Sequence, residues 1–180
     1  MEQGILVLAT QRCAGTNIAK GIASFYSKRY AHEPNVKTIS WSDKDVVKVI
    51  SNNTAKEYIP QFKNIILVTR RDMLAAQESL GVMYYKGNTT SRYDNHIIQQ
   101  KWNDKYLNEI KKDSQYKVGC NRVEFANNVL KSISKQYSLP IEYTEDILKE
   151  KKLRHSDIKI DPDYLEPSLK LRATWDKSAI

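Results

Sequence analysis

Chemistry-bearing residues concentrate in two short stretches. The first is Thr10-Gln11-Arg12-Cys13-Ala14-Gly15-Thr16-Asn17, a small-residue turn that follows the apolar run Ile5-Leu6-Val7-Leu8-Ala9. The second is Arg70-Arg71-Asp72, which follows the apolar run Ile65-Ile66-Leu67-Val68-Thr69 and precedes a helical stretch carrying Ser79. A strand that feeds a small-residue loop and then a helix makes an anion cradle. Helix-terminal N–H groups point at the ligand, and small side chains let the backbone approach a phosphate. In such a loop the planar fork of Arg12 suits an oxyanion and stabilises charge developing on it. Arginines at a second strand end supply another anion contact, so the pair of stretches predicts a ligand with two separated phosphate-like groups.

Two familiar phosphate loops are excluded. A nucleoside triphosphatase loop places lysine directly after its last glycine, whereas Gly15 is followed by Thr16 and Asn17, with Lys20 a turn later. The Gly-x-Gly-x-x-Gly dinucleotide fingerprint is absent as well. What Thr10 to Thr16 resembles is the phosphosulfate loop of the sulfotransferases that use 3′-phosphoadenosine-5′-phosphosulfate (PAPS), in its bacterial carbohydrate and tyrosylprotein branches. The run from Arg70 to Leu80 is similar to the trehalose-type bacterial enzymes, in which an arginine and a serine eight positions later hold the 3′-phosphate. Arg71 and Ser79 have that spacing, and eight helical residues span about 12 Å, so a phosphate beside the helix could receive both. Ala31-His32-Glu33-Pro34-Asn35 resembles the family's Glu-Pro turn, and Glu142-Tyr143-Thr144-Glu145-Asp146 resembles the Tyr-Glu-Asp-Leu that ends a late strand.

This resemblance implies a P-loop-type α/β fold and sulfonate transfer from PAPS to a hydroxyl acceptor, a carbohydrate or other small molecule, with no metal required. It implies donor binding by Gln11, Arg12, Cys13, Ala14, Gly15, Thr16 and Asn17, and by Arg71, Ser79 and Arg172. Glu33 is implied as the base that takes the acceptor proton, with Arg12 at the transferring group and His32 as a rival base. The loop departs from the family pattern in having Cys13 for serine, Ala14 for glycine and Gly15 for a hydroxyl residue. Alanine at position 14 calls for a negative φ, because a Cβ is costly in the left-handed region. Cys13, at a helix start beside Arg12, is expected to have a lowered pKa. Arg70 is expected to point to the opposite side of its strand end from Arg71. Tyr84, Tyr85, Trp41 and Trp102 are candidates to line an acceptor site, while His96 and His155 read as surface residues.

Apolar and helical stretches alternate along the chain as they do in a parallel sheet with crossovers. The predicted elements are a strand over residues 5–10 and a helix over 16–28, with Ile18, Ile22 and Phe25 on one face. A short strand over 37–40 and a helix over 43–51 capped by Ser42 come next. A strand over 64–69, a helix over 72–85 and a loop over 87–93 follow. Helices over 95–113 and 122–137 and a strand over 139–143 complete the list. The whole reads as one domain of residues 1–180, three-layered with a mainly parallel sheet, whose residues 150–180 form a less regular segment.

Composition narrows the function classes. Of the residues, 41% are hydrophobic and 28% charged, an ordinary globular balance, and no apolar run approaches a membrane span. The N-terminal Met1-Glu2-Gln3-Gly4 lacks a signal peptide's basic start, and two cysteines give no disulfide framework, so a cytoplasmic location without membrane association is expected. A net charge of +8 draws anionic ligands. Two other functions are compatible with these features: a P-loop nucleotide kinase with a degenerate loop, and a catalytically inactive module that binds nucleotide or nucleic acid.

Overall fold

The computed structural model describes residues 4–34, 45–85 and 108–166. Among the described residues five strands form one sheet: β1 (Ile5–Ala9), β2 (Arg29–His32), β3 (Asp45–Ile50), β4 (Asn64–Thr69) and β5 (Ile141–Tyr143). Their order is β2-β3-β1-β4-β5 and every pairing is parallel. The helices are α1 (Gly15–Phe25), α2 (Met73–Tyr85), α3 (Ser114–Tyr137) and α4 (Thr144–Glu150). The result is an α/β fold of the three-layer P-loop type. Because all strands run the same way, their C-terminal ends share one edge, and ligands in open parallel sheets bind in the crevice there.

β1 is the central strand and buried on both faces, as an uninterrupted apolar run should be. Its alternation sorts the core. Ile5, Val7 and Ala9 join Ile18 and Ile22 of α1, Val46, Val68, and Ile147 of α4 on one side. Leu6 and Leu8 join Val47, Val49, Leu67, and Leu130 and Ile133 of α3 on the other. β2 is a half-exposed edge strand, pinned to β3 by a two-pronged bond from Arg29 to Asp45 at 2.7 and 3.0 Å.

Three sequence expectations about elements are corrected. Residues 43–51 were expected to be helical, but Asp45–Ile50 is strand β3. Val46, Val47, Val49 and Ile50 are β-branched, and their stiff side chains fit a pleated surface better than a helix. Ala31 and His32, read as the start of a Glu-Pro turn over 31–35, instead end strand β2. The helix expected from residue 122 begins at Ser114, capped by Asp113, whose carboxylate accepts from the N–H groups of Gln115 and Tyr116. The expected strand at 37–40, the loop at 87–93 and all but the last turn of the helix at 95–113 lie outside the described residues.

From 151 to 166 the described chain has little regular structure, yet Leu153, Ile158, Ile160 and Leu165 are buried against the α1 side of the sheet. Asp161 fastens this segment, donating its N–H to Gly21 and accepting from Ser24 Oγ at 2.7 Å. Among the described residues no helix is long and apolar enough to cross a membrane.

Candidate functional site

The loop between β1 and α1 lies at the common C-terminal edge. Arg12 and Ala14 both have left-handed backbone, at φ of 61° and 60°. For Ala14 this reverses the expectation of a negative φ, and the Cβ strain there costs about 1–2 kcal/mol. Gly15 opens α1 in tight quarters, since a Cβ built on it would come within 2.5 Å of the Ala9 Cβ. Glycine therefore lets the helix start sit directly on the end of β1. Ala14, at the N-cap, gives α1 no side-chain cap, and the first turn has no acidic residue.

Three cations converge on this loop. Arg12 folds away from its own strand and donates Nε–H to Ser79 Oγ on α2 at 2.7 Å. Burial, followed by the nearby Arg70 charge, lowers the Arg12 pKa to about 10. The site thus holds a guanidinium whose surroundings disfavour its charge, a condition that an arriving anion relieves. Arg70 donates to the Arg12 carbonyl at 3.4 Å, and its own guanidinium is backed by Glu145 at 3.9 Å. It therefore faces the loop, while Arg71 turns to Asp146.

The third cation is Lys48, which sequence reasoning missed. It is 6% exposed and lies on β3, paired with Val7 of β1 and His32 of β2. Val47 and Val49 face the α3 side, so Lys48 faces α1, and its Cε lies 3.8 Å from a Cβ built on Gly15. Its Nζ donates to Glu33 Oε1 at 2.6 Å. The signal was present as a lone lysine in a β-branched run, but the run was read as helix, where that position carries no special meaning.

Glu33 follows β2 at a left-handed φ of 45°, and its N–H bonds to the Lys48 carbonyl at 2.8 Å. Backbone and side chain are both tied to Lys48, which holds the carboxylate beside the loop. His32 Nε2 lies 3.6 Å from the same Oε1, and His32 Nδ1 bonds the Tyr30 hydroxyl at 2.7 Å. Burial, then the Lys48 charge, lowers the His32 pKa against the opposing pull of Glu33. The Tyr30 hydroxyl also bonds Thr16, linking the first turn of α1 to this group.

The other predicted donor-binding residues are distributed differently. Cys13 is buried, its thiol donating to the Thr10 carbonyl at 2.8 Å, and burial raises its pKa. The expected lowering fails because the side chain points into the core while only its backbone belongs to the loop. Gln11 Oε1 is buried without a hydrogen-bond partner, an acceptor on the loop that a donor group would satisfy. Asn17 lies in the first turn of α1, half-buried.

Arg71 and Ser79 are engaged separately. Arg71 makes a two-pronged pair with Asp146 at 2.7 and 2.6 Å and stacks over the Tyr143 ring at 4.3 Å. Ser79 is buried and serves Arg12. Of the proposed acceptor-site aromatics, Tyr84 packs beside α3 with Arg122 over its ring, and Tyr85 is exposed. His155 is exposed. Arg172, Trp41, Trp102 and His96 lie outside the described residues.

A polar layer anchors the loop from below. The Thr10 and Thr69 hydroxyls meet at 3.1 Å, Thr69 donates to Asn127, and Thr144 donates to the Cys13 and Thr69 carbonyls at 2.6 and 3.0 Å. Strand ends of β1, β4 and β5 are thereby locked together under the cations. No protein-family model, curated protein or solved structure matches the chain.

Proposed function

We propose that the protein is a PAPS-dependent sulfotransferase acting on a hydroxyl-bearing acceptor, a carbohydrate or other small molecule. The observation that carries this reading is the convergence of Arg12, Arg70 and Lys48 on a small-residue loop, with the Glu33 carboxylate 2.6 Å from Lys48. The residues fit the 5′ end of the donor: buried positive charge, helix-terminal N–H groups and a glycine at the point of closest approach. At the 3′ end Arg71 is half-exposed and keeps N–H donors beyond those given to Asp146, whereas Ser79 is occupied by Arg12. The 3′-phosphate would therefore rest on Arg71.

PAPS, when bound, supplies an activated sulfonate whose leaving group is the 5′-phosphate of 3′-phosphoadenosine 5′-phosphate (PAP). The acceptor oxygen forms a bond to sulfur as the sulfur–oxygen bond to the phosphate breaks, and that electron pair stays with PAP. Glu33 takes the acceptor proton and later gives it to water. Arg12, Arg70 and Lys48 balance charge growing on the phosphate oxygen. Burial of Arg12 and Lys48 makes their charges more effective than they would be in water.

Calorimetric titration with PAP, with ATP and ADP as controls, tests the reading. Micromolar PAP binding that weakens without the 3′-phosphate and in Arg71→Ala is the expected result, and absence of PAP binding would overturn it. The position of Lys48 favours one second reading, phosphoryl transfer from a nucleoside triphosphate, because it brings a lysine to the loop from a neighbouring strand. Binding of ATP but not PAP would select that reading.

A further inference from the structure

A lysine that is almost wholly buried is costly unless paired, and Lys48 is paired with a carboxylate that is itself 36% exposed. The partnership is lopsided. Glu33 can turn to water, whereas Lys48 is buried, with its Cε 3.8 Å from a Cβ built on Gly15 and its Nζ on Glu33. A negatively charged group seated on the loop would compete with Glu33 for the same ammonium. We propose that Lys48 is a ligand-gated cation, passed from Glu33 to the bound anion, so that occupation of the loop releases Glu33 to act as a base. In the empty protein the Glu33 carboxylate is thereby held by Lys48, and it is freed when an anion takes that ammonium. The inference rests on the anion-binding part of the functional reading, and not on which donor is bound.

The consequence is proton linkage. As a general matter, exchanging an adjacent ammonium for a nearby anion strengthens a carboxylate's hold on a proton. Anion binding should therefore be accompanied by proton uptake. The other groups able to contribute are His32 and Tyr30 of β2, which interact with Glu33, and Lys20 of α1, whose charge reaches His32. His32 is the one that needs a control, since an incoming anion would favour its protonation too.

Inorganic sulfate is the probe, because its charge does not change over the pH range needed and any proton taken up belongs to the protein. The full chain is titrated with sulfate between about pH 5 and 6, just above the ordinary carboxylate range, in buffers of different ionisation enthalpy. The expected result is uptake of a fraction of a proton by wild type and by His32→Asn, and none by Glu33→Gln. Lys48→Met, which keeps the apolar stem, should bind sulfate at least tenfold more weakly. Sulfate binding without proton uptake in wild type would overturn the proposal. So would uptake that persists in Glu33→Gln and disappears in His32→Asn, or no sulfate binding at all. Sulfate linkage without PAP binding would leave this inference standing and remove the sulfotransferase reading, so the two fail separately.

Discussion

At the residue scale, the loop carries strain and charge that a single substitution can move. Ala14 holds a left-handed backbone with a Cβ, so Ala14→Gly should raise unfolding stability by about 1 kcal/mol, after subtracting glycine's greater unfolded-state entropy. The urea midpoint measures this, and an unchanged midpoint would mean that the strain is absent in solution. Glu33→Gln should bind PAP at least as tightly as wild type, because no carboxylate then competes for Lys48, and lower turnover by about 10²–10⁴, the usual worth of a general base; equal turnover would remove Glu33 from the chemistry. Arg12 and Gly15 were legible in the sequence because their types and neighbours point to an anion loop, and Glu33 only through the resemblance of its turn. The directions of Cys13, Arg70 and Arg71 were not. Which of two adjacent side chains faces a site depends on the twist and ending of the strand beneath, and here Arg70 meets the Arg12 carbonyl while Arg71 turns to Asp146.

Elements bring Ser79 to Arg12, and that placement depends on how α2 meets α3. The two helices touch at Gly81 and Gly119: a Cβ on Gly119 would lie 2.8 Å from the Gly81 Cα, and one on Gly81 would lie 2.7 Å from the Tyr116 ring. Gly119→Ala should therefore push the helices apart and cost about 1–3 kcal/mol, the range for overpacking a filled interface. Thermal unfolding measures the loss, and a stability equal to wild type would show that the crossing is looser than described. The strong apolar runs of β1 and β4 and the helices behind them were readable from period and composition. β3 was not, because Ser42 ahead of residues 43–51 suggested a capped helix.

For the molecule as a whole, the β5–α4 corner acts as a clasp. Asp146 receives Arg71 and Arg154, Glu145 accepts from the N–H groups of Arg71 and Asp72, and the buried Glu142 accepts from those of Arg154 and His155. Hydrogen bonding from Arg71 lowers the Asp146 pKa, and bonding from Arg154 lowers that of Glu150. Groups held below their unfolded values contribute stability above the ordinary carboxylate range and lose it as pH falls through the folded values. Unfolding stability should thus decline below about pH 4, and Asp146→Asn should flatten that decline while lowering stability at neutral pH. A chemical-denaturation series across pH measures both, and an unaltered acid limb would remove Asp146 from the clasp. The sheet order, finally, has a bearing on how the chain acquires its shape. β1 lies in the middle of the sheet, but its partner β4 is specified some sixty residues later and β5 later still. During synthesis the stickiest segment of the protein therefore emerges long before the strand that shields one of its edges, and parallel pairing of such distant segments is slow. Expression yield should for that reason depend on temperature and chaperone supply more than the finished molecule's stability would suggest.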